Sequence, residues 1–464
     1  ESITFTGSFI LTGTVHIENE LIRVTSATDS TIENININLS KYKLVLGYGK
    51  TMTNVGNITG TKGSVLLIKS HSQMEVFGNI KDVDTLYITG TLKAWGNISV
   101  NKIATETSEI GNLYCNVEKN FTIKGEAALG AAYLYICSDG EVVSAYTEGM
   151  TIVDSASKTY ATTFVLPMGT DYTLYKDGST IKVGKSSIYV YMNPSDDWTT
   201  TRIIGRQFKT INDAIDYICY YESTSPIIYA IRLNQDIPSG GTIKTISGEN
   251  KTILIKSKDN ADYTLNFTGT FVADGCNIEI ENVNLCNSAT SNASVTLKNG
   301  ATITLCNTAI NAITAPSGTA VTIANGEDKE VDVTINGTAK CLGDFTIEDG
   351  AGLWCKGALT TGSFTLDGEH AEICILAGKA FTINGAVNIG EDSMVGINFV
   401  DKDGNLASVK GGATMVTATK ATASQFYTEN VMTGTTDVCW QLTKSGKVIK
   451  TAALVACVYD LDDE

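Results

Sequence analysis

Short runs of alternating apolar and small polar residues, each ended by Gly, Asn or Asp, make up most of the chain. A period of two sends successive side chains to opposite faces of a strand, and the terminating residues supply turns. The runs echo one another. Val55-Gly56-Asn57-Ile58, Phe77-Gly78-Asn79-Ile80 and Trp95-Gly96-Asn97-Ile98 repeat one order: an apolar residue, a Gly-Asn turn and an isoleucine. Val295-Thr296-Leu297, Val321-Thr322-Ile323, Phe345-Thr346-Ile347, Phe364-Thr365-Leu366 and Phe381-Thr382-Ile383 form a second set, each followed within three residues by Gly.

A repeat of about twenty residues made of short strands cannot bury its own apolar face, so it must stack on its neighbours as a solenoid. Leucine-rich repeats carry a Leu/Asn consensus that is absent here, and propeller blades need about 40 residues. The pattern therefore predicts an all-β chain, a right-handed parallel β-helix with strands about 4.8 Å apart. The sharpest local echo sets Leu285-Cys286-Asn287-Ser288-Ala289 against Leu305-Cys306-Asn307-Thr308-Ala309. One coil between them would lay Cys286 over Cys306 as stacked free thiols, with a disulfide as the alternative. It would also lay Asn287 over Asn307 as an amide ladder that pairs turn groups along the stack.

Residues 208–221 break the alternation. Ile211, Ala214, Ile215 and Ile218 follow helical spacing, with Thr210 or Asn212 placed to cap the N-terminus. A lone amphipathic helix before a strand array is expected to cover the open end of the stack, whose edge strands would otherwise template aggregation.

The chain also repeats at long range. Leu174, Lys176, Gly178, Ile181 and Lys182 match Leu442, Lys444, Gly446, Ile449 and Lys450 at an offset of 268. Asp139-Gly140 and Ser144 match Asp403-Gly404 and Ser408 at 264, and Phe121-Thr122-Ile123 matches Phe381-Thr382-Ile383 at 260. Small turn insertions produce such a drift. The reading is two tandem modules: 1–191, lacking its opening part; a linker over 192–207; and 208–464, which includes the helix. Tyr172 to Tyr191 and Trp440 to Tyr459 read as closing hairpins, with turns at Lys176-Asp177-Gly178 and Lys444-Ser445-Gly446.

The stretch Tyr189-Val190-Tyr191-Met192-Asn193-Pro194, followed by Phe208-Lys209-Thr210-Ile211 and Ala214-Ile215, resembles the entry to pectin-lyase-like β-helix domains of bacterial surface and secreted proteins. The usual Gly-Asp-Asn-Gly loop is replaced by Ser195 to Gly205. The resemblance implies the β-helix fold and a bacterial extracellular or cell-surface setting. It does not imply one activity, since the fold carries lyases, hydrolases, adhesins and phage spikes.

Composition narrows the functions. A net charge of −16 and a pI near 4.7 oppose binding to phosphate backbones, and the only arginines are Arg23, Arg202, Arg206 and Arg232. Nucleic acid and anionic membrane are therefore not expected partners. No apolar run reaches the roughly 18 residues of a membrane-spanning helix, and no basic stretch followed by an apolar one opens the chain at Glu1, so any signal peptide is expected to have been removed. Eleven cysteines lie singly with no CxxC, against zinc and thioredoxin-like chemistry.

The enzymes that this chain resembles cut acidic polysaccharides with calcium and an Arg or Lys base, or with two or three close aspartates. The best carboxylate pair here is Glu279 and Glu281, expected on the outer face of one strand about 7 Å apart and able to pair as acid and base or to bind a cation. A solvated strand face gives the same pattern. Asp82 and Asp84 share the spacing. Asp196-Asp197 and Asp460, Asp462, Asp463 and Glu464 read as solubilising; His16, His71 and His370 are far apart; Tyr217, Tyr220 and Tyr221 could form a sugar platform or pack on the stack. No catalytic residue, metal ligand or cofactor is assigned. The expected role is a non-catalytic structural or adhesive β-helix protein, with polysaccharide, a host or cell surface, or further copies of the module as partners. The rivals are a polysaccharide lyase or glycoside hydrolase using Glu279 and Glu281, and a phage tailspike-like trimer.

Overall fold

A computed structural model describes residues 14–16, 21–24, 35–49, 51–105, 109–128, 130–143, 145–155, 160–167, 171–194, 206–220, 224–238, 241–288, 291–326, 332–430 and 440–453. It is a β-solenoid of about 15 turns in which parallel sheets stack coil on coil, and strands take up 56% of the described residues. The helix Ile211–Tyr220 is the only α-helix among the described residues. The chain divides into two compact units, Glu1–Ser186 with Gln207–Tyr217, and Ser187–Arg206 with Ile218–Glu464.

In the first unit the coils contribute strands to three faces. Inward columns run across the coils in register. Ile37, Ile58, Ile80, Ile98 and Phe121 form one. Leu44, Leu66, Leu86 and Ile103 form the second, and Met52, Met74, Leu92, Leu113 and Leu134 the third. All are buried. Alternation thus becomes a core because every second residue of each coil faces the same aliphatic interior.

The Gly-Asn echoes mark one corner of this prism. Asn36 Oδ1 accepts from Asn57 N and Nδ2 at 2.8 and 2.9 Å. Asn57 Oδ1 accepts in turn from Asn79 N and Nδ2, and Asn79 Oδ1 from Asn97 N and Nδ2. Asn97 Oδ1 ends the ladder on Asn120 N at 3.0 Å. The preceding glycines let the coils approach: a Cβ on Gly78 would stand 2.5 Å from the Gly56 carbonyl carbon, and one on Gly96 would overlap Gly78 O.

The second unit also has three faces. Ile253, Ile278, Ile303, Val321 and Phe345 form one inward column. Phe271, Val295, Ile313, Ala339, Leu359 and Phe381 form another. Ile310, Ile335, Cys355, Ile375 and Phe399 form the third. The five apolar-Thr-apolar triplets therefore lie on two faces: 321–323, 345–347 and 364–366 share one, while 295–297 and 381–383 share another. Phe364 still meets Phe345 and Phe381 inside, with ring centroids 6.0 and 5.6 Å apart.

Both stacks end alike. In the first unit the hairpin of Tyr172–Asp177 and Thr180–Lys185 pairs antiparallel with Thr151–Ser155, with Ile181 opposite Val153. In the second, Trp440–Ser445 and Val448–Ala453 pair antiparallel with Thr414–Ala418, with Ile449 opposite Val416. Gly178 and Gly446 turn both hairpins at φ 59° and 61°. Ile188–Met192 does not extend the first hairpin; it pairs antiparallel with Ile227–Leu233 in the second unit. Residues 454–459, expected to complete the second hairpin, lie outside the described residues.

Helix formation follows the expected stripe: Ile211, Ala214, Ile215 and Ile218 are all buried. Thr210 is the cap, its Oγ1 accepting from Asp213 N at 3.2 Å and donating to Asp213 Oδ2 at 2.5 Å. Phe208 packs on Tyr217 at 5.6 Å, and Lys209 Nζ pairs with Glu148 Oε1 at 2.6 Å.

Candidate functional site

Glu279 and Glu281 lie on the strand Asn277–Glu281, outward of buried Ile278 and Ile280. They are not a free pair. Lys256, one coil below and in register with Glu281, reaches Glu279 Oε1 at 3.0 Å and also Glu281 Oε2. Burial works against the Lys256 charge, but the hydrogen bonds that it donates to the Glu281 and Glu279 carboxylates outweigh it and hold the ammonium above its ordinary range. A cation already placed between two carboxylates leaves little for a metal or a transferable proton to gain there.

The remaining aspartate candidates, both on the strand Ile80–Ile88, are engaged as well. Asp82, at φ 55°, pairs with Lys124 Nζ at 2.5 Å, which holds its carboxyl below the usual range. Asp84 accepts from Gly63 N at 2.8 Å and Asn101 Nδ2 at 2.9 Å. His71 contacts the Tyr48 ring at 4.8 Å and Ser70 Oγ through Nδ1. Tyr217 packs on Phe208, Tyr220 is exposed, and Tyr221, Asp196-Asp197 and residues 460–464 lie outside the described residues.

The cysteine and asparagine stacking expected at 286/306 and 287/307 is corrected by the register. Cys306 lies against Glu281, and Cys286 lies against Asn266 on a different face. The coil period here is 25 residues, as the Ala309 N to Asn284 Oδ1 bond at 3.0 Å also requires. Asn307 therefore stands at the corner of Asn282, both with positive φ (48° and 55°), and not over Asn287. Its Nδ2 reaches Gly326 O at 3.5 Å, while its buried Oδ1 has no partner among the described residues. Cys286 and Cys306 are both free thiols.

One cluster was not legible in the linear spacing. His370 and Glu372 sit at i and i+2 on the strand His370–Leu376, and Tyr427 comes from two coils above. Between them, in register with both Glu372 and Tyr427, lies Gly396, over which the Tyr427 ring passes: a Cβ there would stand 2.8 Å from Tyr427 Oη. Tyr427 Oη donates to Glu372 Oε1 at 3.2 Å and hydrogen-bonds His370 Nε2. Burial, then the Glu372 charge, pushes the phenol well above its ordinary range, so it stays protonated. Asp349 fixes the strand start by accepting from Glu369 N and His370 N, both at 2.8 Å. Each polar group is thus engaged by another, which suits a brace between coils.

Two outward rows run up the second unit in register. Thr304, Thr322, Thr346 and Thr365 stand in register on one face, followed by Asn388, whose Nδ2 reaches Thr365 Oγ1 at 3.3 Å. On a second face the row is Thr296, Thr314, Lys340, Thr360, Thr382 and Thr417. Parallel strands set these side chains about 4.8 Å apart.

No family model matches the chain, and no curated protein matches it. Among solved structures, "Structure of sacteLam55A from Streptomyces sp. SirexAA-E" aligns over 90% of this chain and 92% of its own, at 9% identity and a TM-score of 0.15. A likeness that low carries no argument about this chain.

Proposed function

We propose that the chain is a non-catalytic, extracellular bacterial β-helix protein of the pectin-lyase-like kind, structural and adhesive, that binds glycan or another surface through its flat faces. The observation that carries this reading is the pair of outward threonine rows, held in register over successive coils. Short hydroxyl side chains at an even spacing of about 4.8 Å offer a repeated set of donors and acceptors at small entropic cost. The Lys256 bridge supports the non-catalytic part, because it occupies the carboxylate pair with enzyme-like spacing. The acidic surface fits a protein kept dispersed outside the cell.

The test pairs binding with turnover. The whole chain is passed over immobilised acidic and neutral polysaccharides and assayed for release of reducing ends or unsaturated products. Retention without turnover is expected, weakened when Thr322, Thr346 and Thr365 are replaced by Val and unchanged in Glu279→Gln and Glu281→Gln. Cleavage lost in either glutamine variant would overturn the reading in favour of a lyase or hydrolase. Light scattering that gave an obligate trimer would favour a spike.

A further inference from the structure

A cavity of about 390 Å³ opens in the second unit between the turn 377–380 and the segment 408–417. Its volume lies within the range of small-molecule sites, about 300–1,000 Å³. Phe381, Phe399 and Met415 form a buried apolar floor, and Lys379 and Lys410 stand exposed on the rim. In a chain with 50 acidic and 34 basic residues, this lining holds two lysines and no carboxylate. Neither ammonium has an acidic partner among the described residues.

The frame around the cavity is pinned before any ligand arrives. Asn430, buried, accepts from Phe399 N at 2.7 Å and donates to Phe399 O at 2.6 Å and Ala407 O at 2.8 Å. Thr451 Oγ1 donates to Lys410 O and accepts from Ala413 N, both at 3.0 Å. Groups held in this way lose little freedom on binding. At the offset of 260, Lys379 corresponds to Lys119 in the first unit, and at 264 Lys410 corresponds to Tyr146. Tyr146 is turned instead onto the first unit's core, with its ring 5.8 Å from that of Tyr172.

We propose that this cavity binds a small carboxylate whose body has an apolar face, the carboxylate between Lys379 and Lys410 and the body on Phe381, Phe399 and Met415. The charge of the rim selects an anion, and the apolar part of the lining favours an organic one over a bare inorganic one. An aromatic acid and a uronic sugar share this chemistry. The site shares only Thr417 with the threonine rows and none of Thr322, Thr346 and Thr365, so the two readings can fail separately.

Calorimetry on the whole chain at low salt, with 3-phenylpropanoate, with galacturonate and with the primary amide of each, tests the assignment. At least one acid is expected to bind, with its amide about tenfold weaker or more. Binding by one acid alone identifies the source and supports the site. Lys379→Gln and Lys410→Gln should each weaken the acid about tenfold with unchanged thermal unfolding, while Lys119→Gln in the first unit leaves it unaltered. Failure of both acids to bind, equal binding of acid and amide, or an equal effect of Lys119→Gln would overturn the proposal.

Discussion

The corner at Asn36, Asn57, Asn79, Asn97 and Asn120 and the corner at Asn282 and Asn307 use the same residue to different ends. In the first, successive asparagines are 21, 22, 18 and 23 residues apart, yet every step is hydrogen-bonded. In the second unit, Asn287 and Asn307 sit in near-identical sequence contexts and do not stack, because the coil there is longer. The chain absorbs length differences in its turns, so a constant corner and not a constant count puts two amides in one column. Where the amide ladder stops, packing takes over: the second unit lines its interior with Phe345, Phe364 and Phe381.

That contrast is sharpest in the core. Phe364→Ala is expected to cost the second unit about 3–5 kcal/mol, read as a lowered denaturant midpoint for that unit's transition. A first-unit transition that moved equally would undo the separation. Gly78→Ala should come next, at about 1–3 kcal/mol, because its Cβ would press on the Gly56 peptide and open the ladder. Asn57→Ala removes an amide bonded to coils on both sides and should cost about 1–2 kcal/mol. Asn287→Ala, at an exposed position, should stay within about 0.5 kcal/mol. Equal costs for the two asparagines would remove the distinction between the corners.

Smaller effects follow from charge. Asp82 is held below its usual pKa by Lys124, and Asp349 by the backbone N–H groups of His370 and Glu369. A carboxyl depressed in the folded state stabilises above its unfolded pKa, about 3.9, and that contribution fades as pH falls through the folded value. Both units should therefore lose stability below about pH 4. Added salt should weaken the Asp82 contribution and spare the one from Asp349, as unfolding of Asp82→Asn and Asp349→Asn across pH and salt would reveal. Thiol labelling gives the mildest contrast. Burial pushes Cys115 up to about 12 and Cys276 and Cys355 up to about 11, so the folded chain should be alkylated first at the less buried Cys219, Cys286 and Cys374. Fast labelling at Cys115 would mean that its coil opens.

Much of the fold was legible. The Gly-Asn-Ile echoes stack as one corner and one isoleucine column, the helical stripe is buried, and the hairpin matched at an offset of 268 closes each unit in the same antiparallel way. The candidate chemistry was less so. Glu279 and Glu281 face outward as alternation requires, but nothing in their strand announces Lys256 from the coil below. The His370, Glu372 and Tyr427 cluster depends on Gly396 leaving room for a ring, which only the stacked register reveals.

Sequence alone settled which residues point inward, where the chain turns, and that coils of this size must shield one another from water, because alternation and turn chemistry are local properties. Which side chain lies over which was decided by the tertiary structure. Vertical neighbours are a whole coil apart, and a few residues gained or lost in any turn shift every later pairing without changing the local pattern.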